Sequence, residues 1–178
     1  MLRFFDFLQE RNLEEGNPLY QKIEKPLSKG QKIGTVSAER YTRTPELNKQ
    51  ANKSLKGDLK RLAHKGAIGD FRSVQGRYQD KDKAQGDVDK ESAFVVRQGR
   101  GKKGKHFDKI LSALGKRYGQ QTTMHVNPNK EAEYRFPDDK KKVEKLGKVT
   151  YNKPLVVPKG QQGTGDTAFG KKGSFTTR

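Results

Sequence analysis

Along the chain, apolar residues fall into two stretches of helical spacing and five short runs that alternate or cluster as strand residues do. From Phe107 the positions Ile110, Leu111, Leu114 and Tyr118 recur every three or four residues, which predicts a helix ended by Gly119. A second stripe, Leu47, Ala51, Leu55, Leu59, Leu62 and Ala63, predicts a longer helix running to about His64. Its ends are marked by chemistry as well as spacing. Thr44 can cap, Pro45 suits the first helical position, Glu46 complements the dipole and Gly66 is a natural terminator.

The strand signals are shorter. Gln31 to Arg40 carries Ile33, Thr35 and Val36, Phe71 to Gln79 places Val74, Gly76 and Tyr78 on one side, and Ala93 to Val96 is a compact β-favouring run. Thr122 to Val126 and Glu131 to Phe136 flank the turn Asn127-Pro128-Asn129 and predict a hairpin, with Ala132, Tyr134 and Phe136 on one side. The order is βαββαββ. Both helical stripes are buried most economically in an α+β fold, a ferredoxin-like split βαβ sheet with two helices on one face, plus extended N- and C-terminal arms.

That pattern divides the chain into an apolar N-terminal arm (1–30), an α+β core (31–138) and a basic, Gly/Pro-rich C-terminal tail (139–178). In the first arm Leu2, Phe4, Phe5, Phe7 and Leu8 cluster before the turn-prone Gly16-Asn17-Pro18. A terminus this apolar either packs back on the domain or inserts into a partner's groove. Residues 80–90 read as a mobile polar connection, and the tail as disordered when alone. Tyr151, Leu155, Val156, Val157, Phe169 and Phe175 are spaced along it as anchors for a partner surface, which makes Phe4, Phe5, Phe7, Phe169 and Phe175 the candidate partner-binding residues.

Charge changes the picture most. The net charge is +18 with an isoelectric point near 10.0, and only 30% of residues are hydrophobic while 34% are charged. Such an excess points to a polyanion. It lies downstream: residues 1–30 hold five basic and five acidic side chains, whereas 139–178 hold ten and three. On the longer helix Lys49, Lys53, Lys56, Lys60 and Arg61 are opposed only by Asp58. Arg97, Arg100, Lys102, Lys103 and Lys105 line the loop before the second helix, with Lys116, Arg117, Lys140, Lys141 and Lys142 further on. These are the candidate phosphate-binding residues; the alternative is an ordinary solvated face.

Candidate chemistry is sparse. Gly99 to Lys105 fits G-x-x-x-x-G-K, but His106 stands where a nucleotide-binding loop needs Ser or Thr for magnesium. Asp80, Asp82 and Glu91 fall at positions 1, 3 and 12 of a calcium loop, yet Ala84 and Gln85 break it. His64, His106 and His125 are scattered without a linked acid, and His106 reads as a helix cap. The third strand, Glu91 to Arg97, has one aromatic, too few for the base-stacking surface of an RNA-recognition domain. There is no cysteine and no run of about 18 apolar residues that would span a membrane. The expectation is a non-enzymatic protein with no catalytic residue, metal, cofactor, membrane contact or small-molecule substrate.

Ile33-Gly34-Thr35-Val36-Ser37-Ala38, Asn52 with Leu55-Lys56-Gly57-Asp58-Leu59, Val74-Gln75-Gly76-Arg77-Tyr78, Glu91-Ser92-Ala93-Phe94 and Leu114 to Gln121 together resemble small basic tailed-bacteriophage proteins of unassigned function. The similarity covers about residues 33–136. It implies a phage origin and a place in the virion or in host takeover, and transfers no catalytic residue. Composition and resemblance together give a protein that binds DNA or RNA phosphates with little sequence preference, in the cytoplasm of an infected host cell. The rival readings are a virion assembly protein (capsid, connector or internal) whose arms bind other virion proteins, and an inhibitor of an acidic host protein.

Overall fold

In the computed structural model the described residues are 23–78, 89–152, 165–168 and 174–177. Thr44 is extended and its hydroxyl accepts a hydrogen bond from the Leu47 amide at 3.3 Å, so the helix α2 (Pro45–His64) begins where cap and proline place it. It ends in a Schellman turn. The Gly66 amide donates to Ala63 and the Ala67 amide to Leu62, with Gly66 in the left-handed region. Helix α4 (Phe107–Tyr118) closes the same way, Gly119 donating to Lys116 and Gln120 to Gly115. Two single-turn helices, α1 (Lys25–Ser28) and α3 (Gly101–Gly104), accompany them among the described residues.

Strands β1 (Ile33–Ser37), β2 (Ile68–Tyr78), β3 (Asp89–Gln98), β4 (Thr123–Val126), β5 (Glu131–Phe136) and β6 (Asp139–Asn152) form an antiparallel sheet ordered β2-β3-β1-β4-β5-β6. Short strands β7 (Gly165–Ala168) and β8 (Ser174–Thr177) join β2 to β6 and close it into a barrel. Register follows alternation. Thr35 lies opposite Val95 and Met124, while Val36 lies opposite Phe94, so neighbouring residues on one strand serve opposite faces.

Each face has its own core. On one, Val36, Phe94 and Val96 meet Leu55 and Leu59 of α2 and Phe107, Leu111 and Leu114 of α4. On the other, Ile33, Val74, Val95, Met124 and Val126 pack with Ile23 and Leu27. The end of the expected N-terminal arm is thus buried against the sheet; Leu2, Phe4, Phe5, Phe7 and Leu8 lie outside the described residues.

Four readings of the sequence need correction here. The stretch expected as a disordered tail begins with the strand β6, paired with β5 from Phe136–Asp139 to Glu131–Lys148. Leu47, assigned to the buried stripe, is 51% exposed, because the first turn of α2 runs past the edge of the core. Asp58, counted among the outward charges of α2, is only 5% exposed. His106 makes no side-chain cap bond to α4.

Candidate functional site

Three polar centres interrupt the apolar packing, and they differ in how fully their atoms are partnered. The first joins the two long helices. Tyr118 donates its hydroxyl hydrogen to Asp58 Oδ2 at 2.7 Å, Arg117 approaches the same oxygen at 3.2 Å and Arg61 pairs with Oδ1. Burial, together with that hydrogen bond and the Asp58 charge, pushes the Tyr118 phenol up to about 12. Arg61 and Arg117, candidates for phosphate contact, are therefore committed to a helix clamp.

The second centre lies where α4 crosses β4 and β5. Asp108 receives Lys32 Nζ at 2.6 Å and Arg135 Nη1 at 3.2 Å on Oδ2, and His125 Nδ1 lies 3.3 Å from Oδ1. Partial burial pushes the Asp108 carboxyl up, but the bonds with His125 and Lys32 and the charges of Arg135 and Lys32 outweigh it and hold the group well below the usual carboxylate range. His125 Nε2 is in turn 2.9 Å from Thr123 Oγ1. His125 does have a linked acid, contrary to expectation, since residues 17 apart in sequence meet where α4 packs on β4. The hydroxyl–imidazole–carboxylate order is that of a nucleophilic triad, but Thr123 is 1% exposed and no substrate reaches it. A cleft of about 380 Å³ opens beside this centre, lined by Asn127, Glu131, Lys145 and Lys148 as well as by its own members.

The third centre is the corner where the end of β1, the start of β3 and the first half of α2 meet. Ser37 Oγ donates to the Ser92 carbonyl at 2.8 Å and accepts from the Glu39 amide at 3.0 Å. Glu39 then turns its carboxylate back, accepting from the Ser92 amide at 2.8 Å and from Asn52 Nδ2 at 2.7 Å. Asn52 spends its donor on that bond, and its buried Oδ1 has no hydrogen-bond partner. Partial burial pushes the carboxyl of Glu91, the residue before Ser92, above its ordinary value; a bond with Ser37 opposes this and the Glu39 charge adds to it. Beside these groups lies a cleft of about 440 Å³ lined by Glu39, Arg43, Pro45, Asn48, Lys49, Asn52 and Ser92, within the size range of small-molecule sites.

An unsatisfied acceptor beside two mutually repelling carboxylates is a place that a cation bearing hydrogen-bond donors relieves. The sequence marks it weakly: Glu91 ends a broken calcium pattern and opens the third strand, and Glu39 and Asn52 come together solely through the fold. Among the described residues no group of three or more His, Asp or Glu side chains is placed to hold a metal ion.

The remaining basic candidates stay apart. Lys49 borders the cleft, Lys53, Lys56 and Lys60 are exposed along α2, and Arg100, Lys102, Lys103 and Lys105 are exposed around α3. Arg97 pairs with Asp70 at 2.7 Å, Lys116 lies 3.6 Å from Asp138, and Lys142 sits 4.1 Å above the Phe136 ring. Lys140 and Lys141 are exposed on β6. The glycines of the loop serve packing: a Cβ on Gly99 would strike the Gly66 carbonyl, and one on Gly104 the backbone of Gly99. Phe175 falls in β8, and Phe169 lies outside the described residues. No helix among the described residues is long and apolar enough to cross a membrane.

Comparison with known proteins gives these clusters a context. The model of the S-adenosylmethionine lyase family matches residues 34–175. A solved phage SAM lyase in complex with S-methyl-5'-thioadenosine is similar at 15% identity over 65% of this chain and 87% of that one, with a TM-score of 0.33. No curated protein matches the chain. The family match overturns the expectation of a non-enzymatic protein built to bind DNA or RNA, and with it the virion and host-inhibitor alternatives and the absence of a small-molecule substrate. In place of a family of unassigned function, the match gives one whose name carries an activity, the S-adenosylmethionine lyases. The charge excess misled because it was read as the function, when much of it is solvated or tied up in ion pairs.

Proposed function

Because the chain belongs to the S-adenosylmethionine lyase family, with Glu39, Asn52, Glu91 and Ser92 inside the matched residues, we propose that it cleaves S-adenosylmethionine and does so at the Glu39–Glu91 corner. The observation that carries the location is the unpartnered Asn52 Oδ1 in the wall of the cleft, next to a carboxylate pair that a cationic substrate relieves. For the scaffold, we read β1–α2–β2 and β3–α4–β4 as the interleaved halves of a ferredoxin-like plan. The neighbour order β4-β1-β3-β2 and the helical face shared by α2 and α4 support this, with β5 to β8 added to it.

Breaking the bond between sulfur and the methionyl Cγ sends its electron pair to sulfur and releases neutral methylthioadenosine. A lyase consumes no water, so the four-carbon fragment must satisfy Cγ itself. Its own carboxylate oxygen can do so by closing a five-membered lactone, the α-ammonium being retained. Charge balances at +1 on both sides and no proton moves.

The protein's work is then orientation and exclusion of water. The sulfonium charge disappears as the reaction proceeds, so a carboxylate gripping sulfur would stabilise the ground state more than the transition state. Glu39 and Asn52 Oδ1, which line the cleft, serve better on the α-ammonium, whose charge survives in the product, and Glu91 adds negative charge from behind Glu39. Held there, the amino-acid portion folds its carboxylate toward Cγ.

The test is to incubate purified protein with S-adenosylmethionine in water enriched in oxygen-18 and to separate the products by chromatography with mass detection. Methylthioadenosine with an unlabelled lactone is the expected result. Unchanged substrate refutes the activity, and labelled homoserine as the first product replaces ring closure with hydrolysis.

A further inference from the structure

The polar lining of the corner cleft suits the amino-acid end of the substrate but offers no ring-sized apolar face for its other end. Glu39, Arg43, Asn48, Lys49, Asn52 and Ser92 are polar or charged, and Pro45 is the single apolar side chain. Adenine is a flat heteroaromatic ring, and such rings are held by stacking on an aromatic side chain. The nearest chain segment supplies one. Tyr41 is 95% exposed, an unusual state for a large aromatic, and it sits in the turn that leads into α2.

That turn is fastened to the wall of the cleft. Arg43 donates its backbone amide to the Arg40 carbonyl at 3.1 Å, which makes residues 40–43 a β-turn with Tyr41 at its outer corner. Asn48, itself part of the lining, grips Arg40 from both sides. Its Oδ1 accepts from the Arg40 amide at 2.9 Å and its Nδ2 donates to the Arg40 carbonyl at 3.0 Å. Arg43, a second lining residue, anchors the other side through a 2.7 Å bond to the Ala38 carbonyl. Tyr41 is therefore one residue from the Asn48 clamp and two from Arg43, with about 3.8 Å between successive Cα atoms.

We propose that Tyr41 is the adenine-binding residue of the site, its ring stacking on the base of S-adenosylmethionine at the mouth of the cleft. This rests on the corner being the lyase site. Adenine is common to the substrate and to methylthioadenosine, so Tyr41 holds both, while the bond being broken is untouched by it. Its exposure means that its replacement does not disturb the core.

The test uses the full chain and three variants. In Tyr41→Ala, KM for S-adenosylmethionine and the inhibition constant for added methylthioadenosine both rise about tenfold, the scale of one lost stacking contact, while kcat stays within about twofold. Tyr41→Phe restores both constants. The chain has no tryptophan, so Tyr41→Trp introduces a single indole, excited apart from the tyrosines at about 295 nm, whose emission methylthioadenosine quenches on binding. Unchanged constants in Tyr41→Ala, or a rise for the substrate alone, overturn the assignment while leaving the lyase reading intact. Failure of the unsubstituted protein to form methylthioadenosine overturns both.

Discussion

Asp108, in the wall of one cleft, and Glu91, next in sequence to Ser92 in the wall of the other, are both partly buried carboxylates, yet their surroundings treat the negative charge in opposite ways. Around Asp108 two cations and an imidazole converge, both oxygens are taken, and the carboxyl is held in its ionised form. Around Glu91 burial and the Glu39 charge push the carboxyl toward the protonated form, and Asn52 nearby is left with a bare acceptor. The lesson is that a polar cluster completed by the protein itself contributes to the fold, whereas one left incomplete awaits a ligand. By this measure the Thr123–His125–Asp108 array, which looks more like catalytic machinery, is structural. The less conspicuous corner is the site we propose.

The comparison can be broken first at the helix clamp, which is complete in the same sense as Asp108. Asp58→Ala leaves the Tyr118 hydroxyl buried without a partner and separates Arg61 and Arg117 from their common anion, at a cost of about 3 kcal/mol in urea unfolding. Next comes Glu91→Gln, with the opposite profile. Losing the negative charge that reinforces Glu39 lowers kcat/KM by about tenfold. Because the folded protein raises the Glu91 pKa, this group favours folding at low pH and ceases to as pH rises through its folded value. At neutral pH the glutamine variant therefore melts no lower than the unsubstituted protein.

Asp108→Asn sharpens the contrast, with an expected loss of about 2 kcal/mol at pH 7. Here the folded pKa is depressed, so the stabilisation exists above the ordinary carboxylate value and is lost as pH falls toward the folded one. Melting curves of the two proteins converge below about pH 4. The smallest effect belongs to the exposed cations: Lys53→Ala and Lys56→Ala each change stability by less than about 0.5 kcal/mol and leave methylthioadenosine formation unaltered.

Much of the scaffold was legible in the chain because it is written in local signals. Thr44-Pro45 and Gly66 bracket α2, Gly119 ends α4, and alternation locates β1 to β5, all consequences of neighbouring residues. What failed was non-local. Asp58 faces inward because Tyr118, 60 residues on, offers a hydroxyl, and β6 forms because β5 presents an open edge, despite a composition rich in lysine. The site is non-local as well. Glu39 follows β1, Asn52 is on α2 and Glu91 on β3, with no spacing pattern to link them, so the sequence assigned them no joint role, while the evenly sown lysines drew attention to charge.

The most direct test compares initial rates of methylthioadenosine release from S-adenosylmethionine by the unsubstituted protein, Glu91→Gln and Asp108→Asn, each first verified as folded by its melting transition. The account predicts that Glu91→Gln loses at least about tenfold while Asp108→Asn keeps its rate within about threefold. Full activity in Glu91→Gln, with the loss appearing in folded Asp108→Asn instead, would move the site to the other cleft and contradict it.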